Sequence, residues 1–473
     1  MAMISLLEIT VSFLCFSFFF GYFLIMKKPH RSFPTNWPFL GMLPGLLVEI
    51  PRVYDYVTEF LEASNLTFPF KGPCFGGLDM LFTVDPANIH HIGVQEALQC
   101  LRRWDFQRGF RFMEGSEEIS SKHDESPGVS KDVFQRFTFD TTFVLATGID
   151  PGCLSIEMPK IEFAKALDEA EEAIFFRHFK PEIVWKMQRL LGFGDELKMS
   201  IAHSTFDRVC SECIASKRDE ITRGVTSIHS SSKDLLMSYM DVDTTKYKLL
   251  NPGDDKFLRD MILSFMLAGR DTTGSALTWF FWLLSKNPEV TTKIRQEINT
   301  KLSPRTNNDS DHFSLFNPQD LNKLVYLHGA LCEALRLYPP VPFQHKSPTK
   351  PDVLPSGHRV DASTKIVFCL YSLGRMKSLW GEDASEFKPE RWISETGRLI
   401  HVPSFKFLSF NAGPRTCLGK EVAMTQMKTV AVKVIQNYEI EIVEGHKIEP
   451  VPSIILHMKQ GLKVMVTKRC NLV

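Results

Sequence analysis

The chain has 473 residues, 44% of them hydrophobic and 11% aromatic, which is enough to bury a large core. Its 55 basic and 55 acidic side chains cancel, so no electrostatic footprint for nucleic acid exists. Ten cysteines fall at irregular spacing and read as reduced thiols, not as a disulfide framework.

Residues 3–26 are almost uninterrupted Leu, Ile, Phe and Val, with Glu8 the one charge, and Lys27, Lys28 and Arg31 follow. That length spans a bilayer, and no small-residue cleavage site precedes the basic cluster. Residues 1–26 are therefore expected to be a retained transmembrane signal-anchor with its positive flank on the cytosolic side. Residues 27–50 carry that flank and then Pro34, Pro38 and Pro44, a stiff hinge that leads into the domain from 51 to 473. A short strand is expected near 82–84, and the neighbouring His90 and His91 lack a third ligand, so they read as surface histidines. The stretch 93–130 is atypical. Arg102, Arg103, Arg108 and Arg111 crowd together without an apolar period, and 115–130 is polar enough to be disordered. Cys210 and Cys213 have redox or zinc spacing, but no second pair accompanies them and they read as incidental.

From 258 to 285 the chain is apolar and stops before Pro288, which predicts one helix of roughly 40 Å at about 1.5 Å per residue. Arg270 and Asp271 at its centre argue against a second membrane span. Ala268 and Gly269 are expected to leave a gap in which a diatomic molecule fits. Thr272 can hydrogen-bond back to a carbonyl and distort the turn, making a polar notch suited to handling protons. A helix over 321–338 would put Glu333 and Arg336 on one face. Strands are expected at 366–370 and in the alternating tail segments 439–443 and 461–466.

The most specific signal lies at Phe410, Gly413, Arg415, Cys417 and Gly419. A thiolate aimed at a metal needs a backbone that curls beneath it, and the two glycines supply positive φ for that purpose. Gathered N–H groups and the positive end of the helix beginning at Leu418 would let Cys417 ionise readily. Arg415 could reach a carboxylate lying beside the metal, and Phe410 would shield the sulfur. Lys406, Lys420, Lys428 and Lys433 lie on this loop and helix as a candidate basic docking patch. No G-x-G-x-x-G or Walker loop is present, so the chain offers no flavin or nicotinamide site of its own.

F-x-x-G-x-R-x-C-x-G is the haem-binding signature of the cytochrome P-450 superfamily, and the chain resembles a member. The resemblance implies a mainly α fold with a small β-rich region and an N-terminal transmembrane helix. It implies heme b with Cys417 as axial thiolate, held through Phe410, Gly413 and Gly419, with Arg415 on one propionate and His345 or Lys346 on the other. Asp271 and Thr272 would relay protons for O–O cleavage, the thiolate pushing electron density to favour it. Glu333, Arg336 and Arg391 would form the structural Glu-Arg-Arg triad. Electrons would come from an NADPH-cytochrome reductase, and the membrane would be the endoplasmic reticulum, with the catalytic domain facing the cytosol.

A narrower resemblance, carried by Asp85 to His90, Phe343 to Lys346 and Tyr371 to Asp383, is to plant fatty-acid and alkane hydroxylases, above all the midchain alkane hydroxylases of cuticular wax. It implies a long-chain lipid substrate lying against 265–268, 341–343 and 453–455. Such a pocket gains about 0.8 kcal/mol per buried CH₂ and does not fix which carbon is oxidised. The chain departs from the family at 93–130, several dozen residues too short. Trp104 and Arg108 match the family's propionate-binding W-x-x-x-R only formally. Two alternatives to a hydroxylase therefore stand: a catalytically impaired member, and a lipid hydroperoxide isomerase or dehydratase, against which the Asp271 and Thr272 pair argues.

Overall fold

The structure, a computed structural model, describes residues 33–74, 78–99, 128–155, 157–178, 180–223, 234–247, 250–302, 318–362 and 364–469. The expected membrane anchor at 1–26 and the Trp104 and Arg108 match lie outside these residues. No described helix is long and apolar enough to cross a membrane, and this includes the apolar helix weighed above as a second span.

The helix Asp255–Lys286 is the axle of the molecule. Its first turn is capped by Asp254, whose carboxylate accepts from the Lys256 N–H at 2.9 Å. At the other end the Asn287 side chain donates to the Leu283 carbonyl at 2.7 Å, and Pro288 opens the next helix, Pro288–Lys301. Along its length the axle packs on Ser130–Thr147, and it also meets Asp195–Thr222, Val325–Leu337 and Lys420–Asn437. Contact with Ser130–Thr147 is close because Gly269 allows it: a Cβ there would sit 2.7 Å from Thr142 Oγ1. This corrects the expectation that Gly269 helps to leave a gap, since Thr142 fills that side.

Two apolar clusters result. The larger joins the axle's C-terminal half to Val325–Leu337, Lys420–Asn437 and the main sheet. The smaller gathers Phe139, Phe143, Phe163 and Phe206 from three helices around Leu258, Ile262 and Phe265 of the axle's N-terminal half.

The main sheet has the order Thr67–Phe70, Met80–Thr83, Lys365–Cys369, Phe343–Lys346. Its middle pair is parallel and the outer pairs are antiparallel. Pro69 is tolerated because its strand lies at the edge. In the tail, Tyr438–Ile442 and Lys463–Lys468 pair antiparallel, Val464 opposite Ile442. Gly128–Val129 joins them on the other side of Lys463–Lys468, so the end of the stretch expected to be disordered is an edge strand. Around these small sheets the fold is mainly helical, as expected.

The helix expected over 321–338 is two, Pro318–Asn322 and Val325–Leu337. The cause is tertiary. Glu297, from the preceding helix, accepts the Tyr326 and Leu327 N–H groups, each at 2.9 Å, and so starts a new helix at that point.

Candidate active site

Cys417 sits in a loop closed on itself: its N–H donates to the Phe410 carbonyl at 2.8 Å. Gly413 has φ +62°, and a Cβ there would lie 2.9 Å from the Gly93 carbonyl oxygen, so both its conformation and its surroundings call for glycine. Gly419 differs from expectation. Its φ is −82°, which any residue adopts, and it caps a helix that begins at Lys420, not Leu418. What Gly419 contributes is its N–H, directed to the Cys417 sulfur. The surroundings of the sulfur do not by themselves favour its ionisation, contrary to expectation. Burial pushes the thiol up, and the Gly419 N–H and the Lys420 charge oppose this without reversing it. A bound metal ion reverses the balance, because a coordinated thiol is deprotonated outright.

The Phe410 ring packs against the main core with the Lys420 ammonium 5.8 Å from its centroid. Arg415 is half-buried in the short turn Gly413–Arg415. His345 stands on the strand Phe343–Lys346, edge-on to His178 at 4.8 Å. Its ring is accessible yet walled by protein, and that enclosure, then the nearby His178 and Lys365, push its pKa down to about 3. A neutral imidazole at this position donates a hydrogen bond but brings no charge to a carboxylate. The basic patch does not assemble as expected. Lys428 is 3% exposed and donates to the Leu321 carbonyl at 3.0 Å, and Lys406 lies 4.5 Å over the Trp380 ring.

On the axle, Thr272 Oγ1 donates to the Ala268 carbonyl at 2.5 Å. Ala268 is exposed although it lies mid-helix, so an open space borders this face. Phe265 and Ile455, both expected to line a substrate pocket, are packed into the apolar interior instead, while Ile454 and Phe343 stay half-buried. A half-open sulfur with an N–H directed at it, an open face beside Thr272 and an arginine two positions before the cysteine are a donor set that fits a thiolate-bound haem.

Asp271 faces the other way. It is 0% exposed, accepts from Gln135 Nε2 at 3.0 Å, and pairs with Arg270 at 3.2 Å. Arg270 in turn holds Asp168 at 2.7 Å. Burial, followed by the Glu171 charge, raises Asp271 to about 7 against the pull of Arg270 and His457. Sequence reasoning missed Glu171 and His457. A signal existed for Glu171: it falls on the same helical stripe as Phe163, Leu167 and Ala170, an acid on an apolar face.

The structure brings Glu333, Arg336 and Arg391 together. Glu333 accepts from Arg336 at 2.7 and 2.8 Å, Arg391 at 3.2 Å, the Trp392 indole at 2.9 Å and the Lys388 N–H at 3.0 Å. Arg336 also donates to the carbonyls of Gly374, Ala384 and Glu386. The cluster reaches the cysteine loop in two ways: Trp392 packs on Phe407 at 4.6 Å, and Ser409 donates to the Leu335 carbonyl at 3.0 Å. A separate cleft of about 560 Å³, bordered by Trp282, Tyr338 and Glu390, contains neither Cys417 nor Thr272.

The family model described as Cytochrome P450 matches residues 115–466. The alkane hydroxylase MAH1 of Arabidopsis thaliana is 52% identical, covering 95% of this chain and 96% of that one. The alignment runs over 495 residues, longer than the 473 present here, so positions of that relative have no counterpart in this chain. Cytochrome P450 86B1 of the same plant is 36% identical over 94% of this chain and 87% of its own length. A noroxomaritidine synthase from Narcissus is also 36% identical, over 98% and 96%. The names these relatives bear thus differ: an alkane hydroxylase at 52% identity and a noroxomaritidine synthase at 36%.

Proposed function

The chain belongs to the cytochrome P450 family and is a monooxygenase of that family; on that premise we propose that it hydroxylates long-chain aliphatic lipids, alkanes or fatty acids, with electrons from an NADPH-cytochrome reductase. The observation that carries the substrate class is the 52% identity to an alkane hydroxylase across almost the whole of both chains. The family implies a haem held by a cysteine thiolate, and this group, heme b in our reading, supplies the oxygen activation.

Cys417 provides the thiolate, and the Gly419 N–H tempers its basicity. Arg415 would hold one propionate, and His345, neutral when free, would donate to the other. Thr272 keeps its hydroxyl at the open face through its bond to the Ala268 carbonyl, and Asp271, the next residue back on the buried side of the same turn, is the proton source behind it. Glu333, Arg336 and Arg391 fix the loop that carries the cysteine and touch no reactant. The 1–26 segment anchors the chain in the endoplasmic reticulum membrane with the domain in the cytosol.

A second reading, a member impaired in haem retention, is favoured by the positions of the hydroxylase that have no counterpart here. Microsomes containing the chain and reductase, supplied with a long-chain alkane or fatty acid, test both. Hydroxylated product dependent on NADPH supports the first reading. Haem-loaded protein that consumes NADPH without oxidising either lipid would refute the substrate class, and failure to retain haem would establish the second.

A further inference from the structure

The buried side of Asp271 is built from distant parts of the chain. Glu171 comes from the helix Glu162–Arg177 and His457 from the tail strand His457–Met458. Ligating atoms of Glu171, Asp271 and His457 all lie within 4.8 Å of one another, and all three residues are buried. His457 Nε2 is 3.7 Å from Glu171 Oε2. Its placement is not left to that contact. The carbonyl of Leu456, the preceding residue, accepts from Ser275 Oγ and Trp279 Nε1, both at 2.7 Å, and both donors are on the axle. The Leu456 N–H donates to the Pro340 carbonyl at 2.8 Å. The tail is thereby pinned to the axle one turn beyond Asp271.

The groups facing Asp271 are Asp168 and Glu171 from one helix, Arg270 from its own, His457 from the tail and the uncharged Gln135 from Ser130–Thr147. With an imidazolium at His457 and a proton on Asp271, this set is neutral: two carboxylates against two cations. Removing the proton leaves the set with a net negative charge and places it on a carboxylate that is 0% exposed, which is costly.

We propose that Glu171 and His457 are positioning residues that set the proton held on Asp271, Glu171 retaining it and His457 stabilising the carboxylate once it has left. The assignment of that proton to oxygen chemistry rests on the monooxygenase reading; the cluster itself does not. In the step, the Asp271 O–H bond breaks, the proton passes to the hydroxyl or water on the Thr272 side, and the charge left on Asp271 is met by Arg270 and His457. Solvent returns a proton from the side of Asp168, which is 57% exposed.

The test is pH-difference infrared spectroscopy of the full-length, detergent-solubilised protein, following the protonated-carboxyl C=O band that Asp271→Asn removes. Glu171→Gln removes an anion and shifts the midpoint of that band down by about one pH unit or more, while His457→Gln shifts it up by a similar amount. One unit is about tenfold in proton occupancy at fixed pH. Glu171→Asp keeps the charge and leaves the midpoint near that of the parent, which separates charge from packing. The pH profile of product formed per NADPH moves in the same two directions. Midpoints that stay put, or move the same way in both glutamine variants, overturn the proposal. Opposite shifts in a protein that shows no reductase-dependent turnover would uphold the cluster and contradict the functional reading instead.

Discussion

Removal of the Glu333 carboxylate is the sharpest test of what holds the cysteine loop in place. The side chain is 0% exposed and Arg336 is 2% exposed, so Glu333→Ala leaves a guanidinium in the interior with only the carbonyls of Gly374, Ala384 and Glu386 to meet its charge. Breaking a buried pair in this way costs about 3–5 kcal/mol, a large part of the roughly 5–15 kcal/mol that keeps a domain folded. Glu333→Gln preserves shape, but its amide nitrogen must point at a donor, either an arginine or the Trp392 indole, and the loss should be nearly as large. Arg391→Ala should cost less, because Arg391 is 16% exposed. The assay is urea unfolding followed by tryptophan fluorescence, to which Trp380, 4.9 Å from the Arg336 guanidinium, and Trp392 both report. A loss below about 1 kcal/mol for Glu333→Ala, the range of exposed pairs, would refute the reasoning.

Thr272→Ala removes the hydroxyl at the open face and should divert NADPH consumption toward hydrogen peroxide; unchanged product per NADPH would remove Thr272 from proton delivery. Gly269→Ala drives a Cβ to 2.7 Å from Thr142 Oγ1 and should destabilise the fold by about 1–3 kcal/mol. Thr142→Ala in the same chain should restore part of that, and a double-mutant cycle measures how much. Asp271 binds its proton up to about pH 7 when folded but only to about 3.8 when exposed. Asp271 in the native state therefore holds a proton across this interval that the unfolded chain gives up, so its own contribution to stability is fully present below about 4 and falls by a few kcal/mol as pH rises to about 7. Asp271→Asn should flatten that slope in pH-dependent unfolding curves, and an unchanged slope would mean that Asp271 is not the group responsible.

Much of this was legible in the chain because its causes are local. Loop closure around Cys417 follows from residues within one decapeptide, and the long helix follows from its apolar run and Pro288. That Glu333 and Arg336 share a face follows from their spacing, and their place in a cluster with Arg391 from the resemblance. What was not legible depends on partners far away in sequence. The break at Lys323 and Leu324 is imposed by Glu297, the burial of Lys428 by the Leu321 carbonyl, and the filling of the Gly269 notch by Thr142. Asp271 was visible as a charge in an apolar helix, but Glu171 lies 100 residues before it and His457 far beyond, so no spacing rule could join them. Thiol ionisation was misjudged for a related reason: the N–H and the helix end are local, whereas burial, which outweighs them, is not.

The central claim, that this chain holds a haem through Cys417, is tested most directly by the reduced, carbon monoxide-bound difference spectrum of the full-length protein in microsomes. The account predicts the red-shifted Soret band of a thiolate-ligated haem, lost in Cys417→Ser at equal protein level. A chain present in the membrane without that band, or one whose band survives Cys417→Ser, would contradict it.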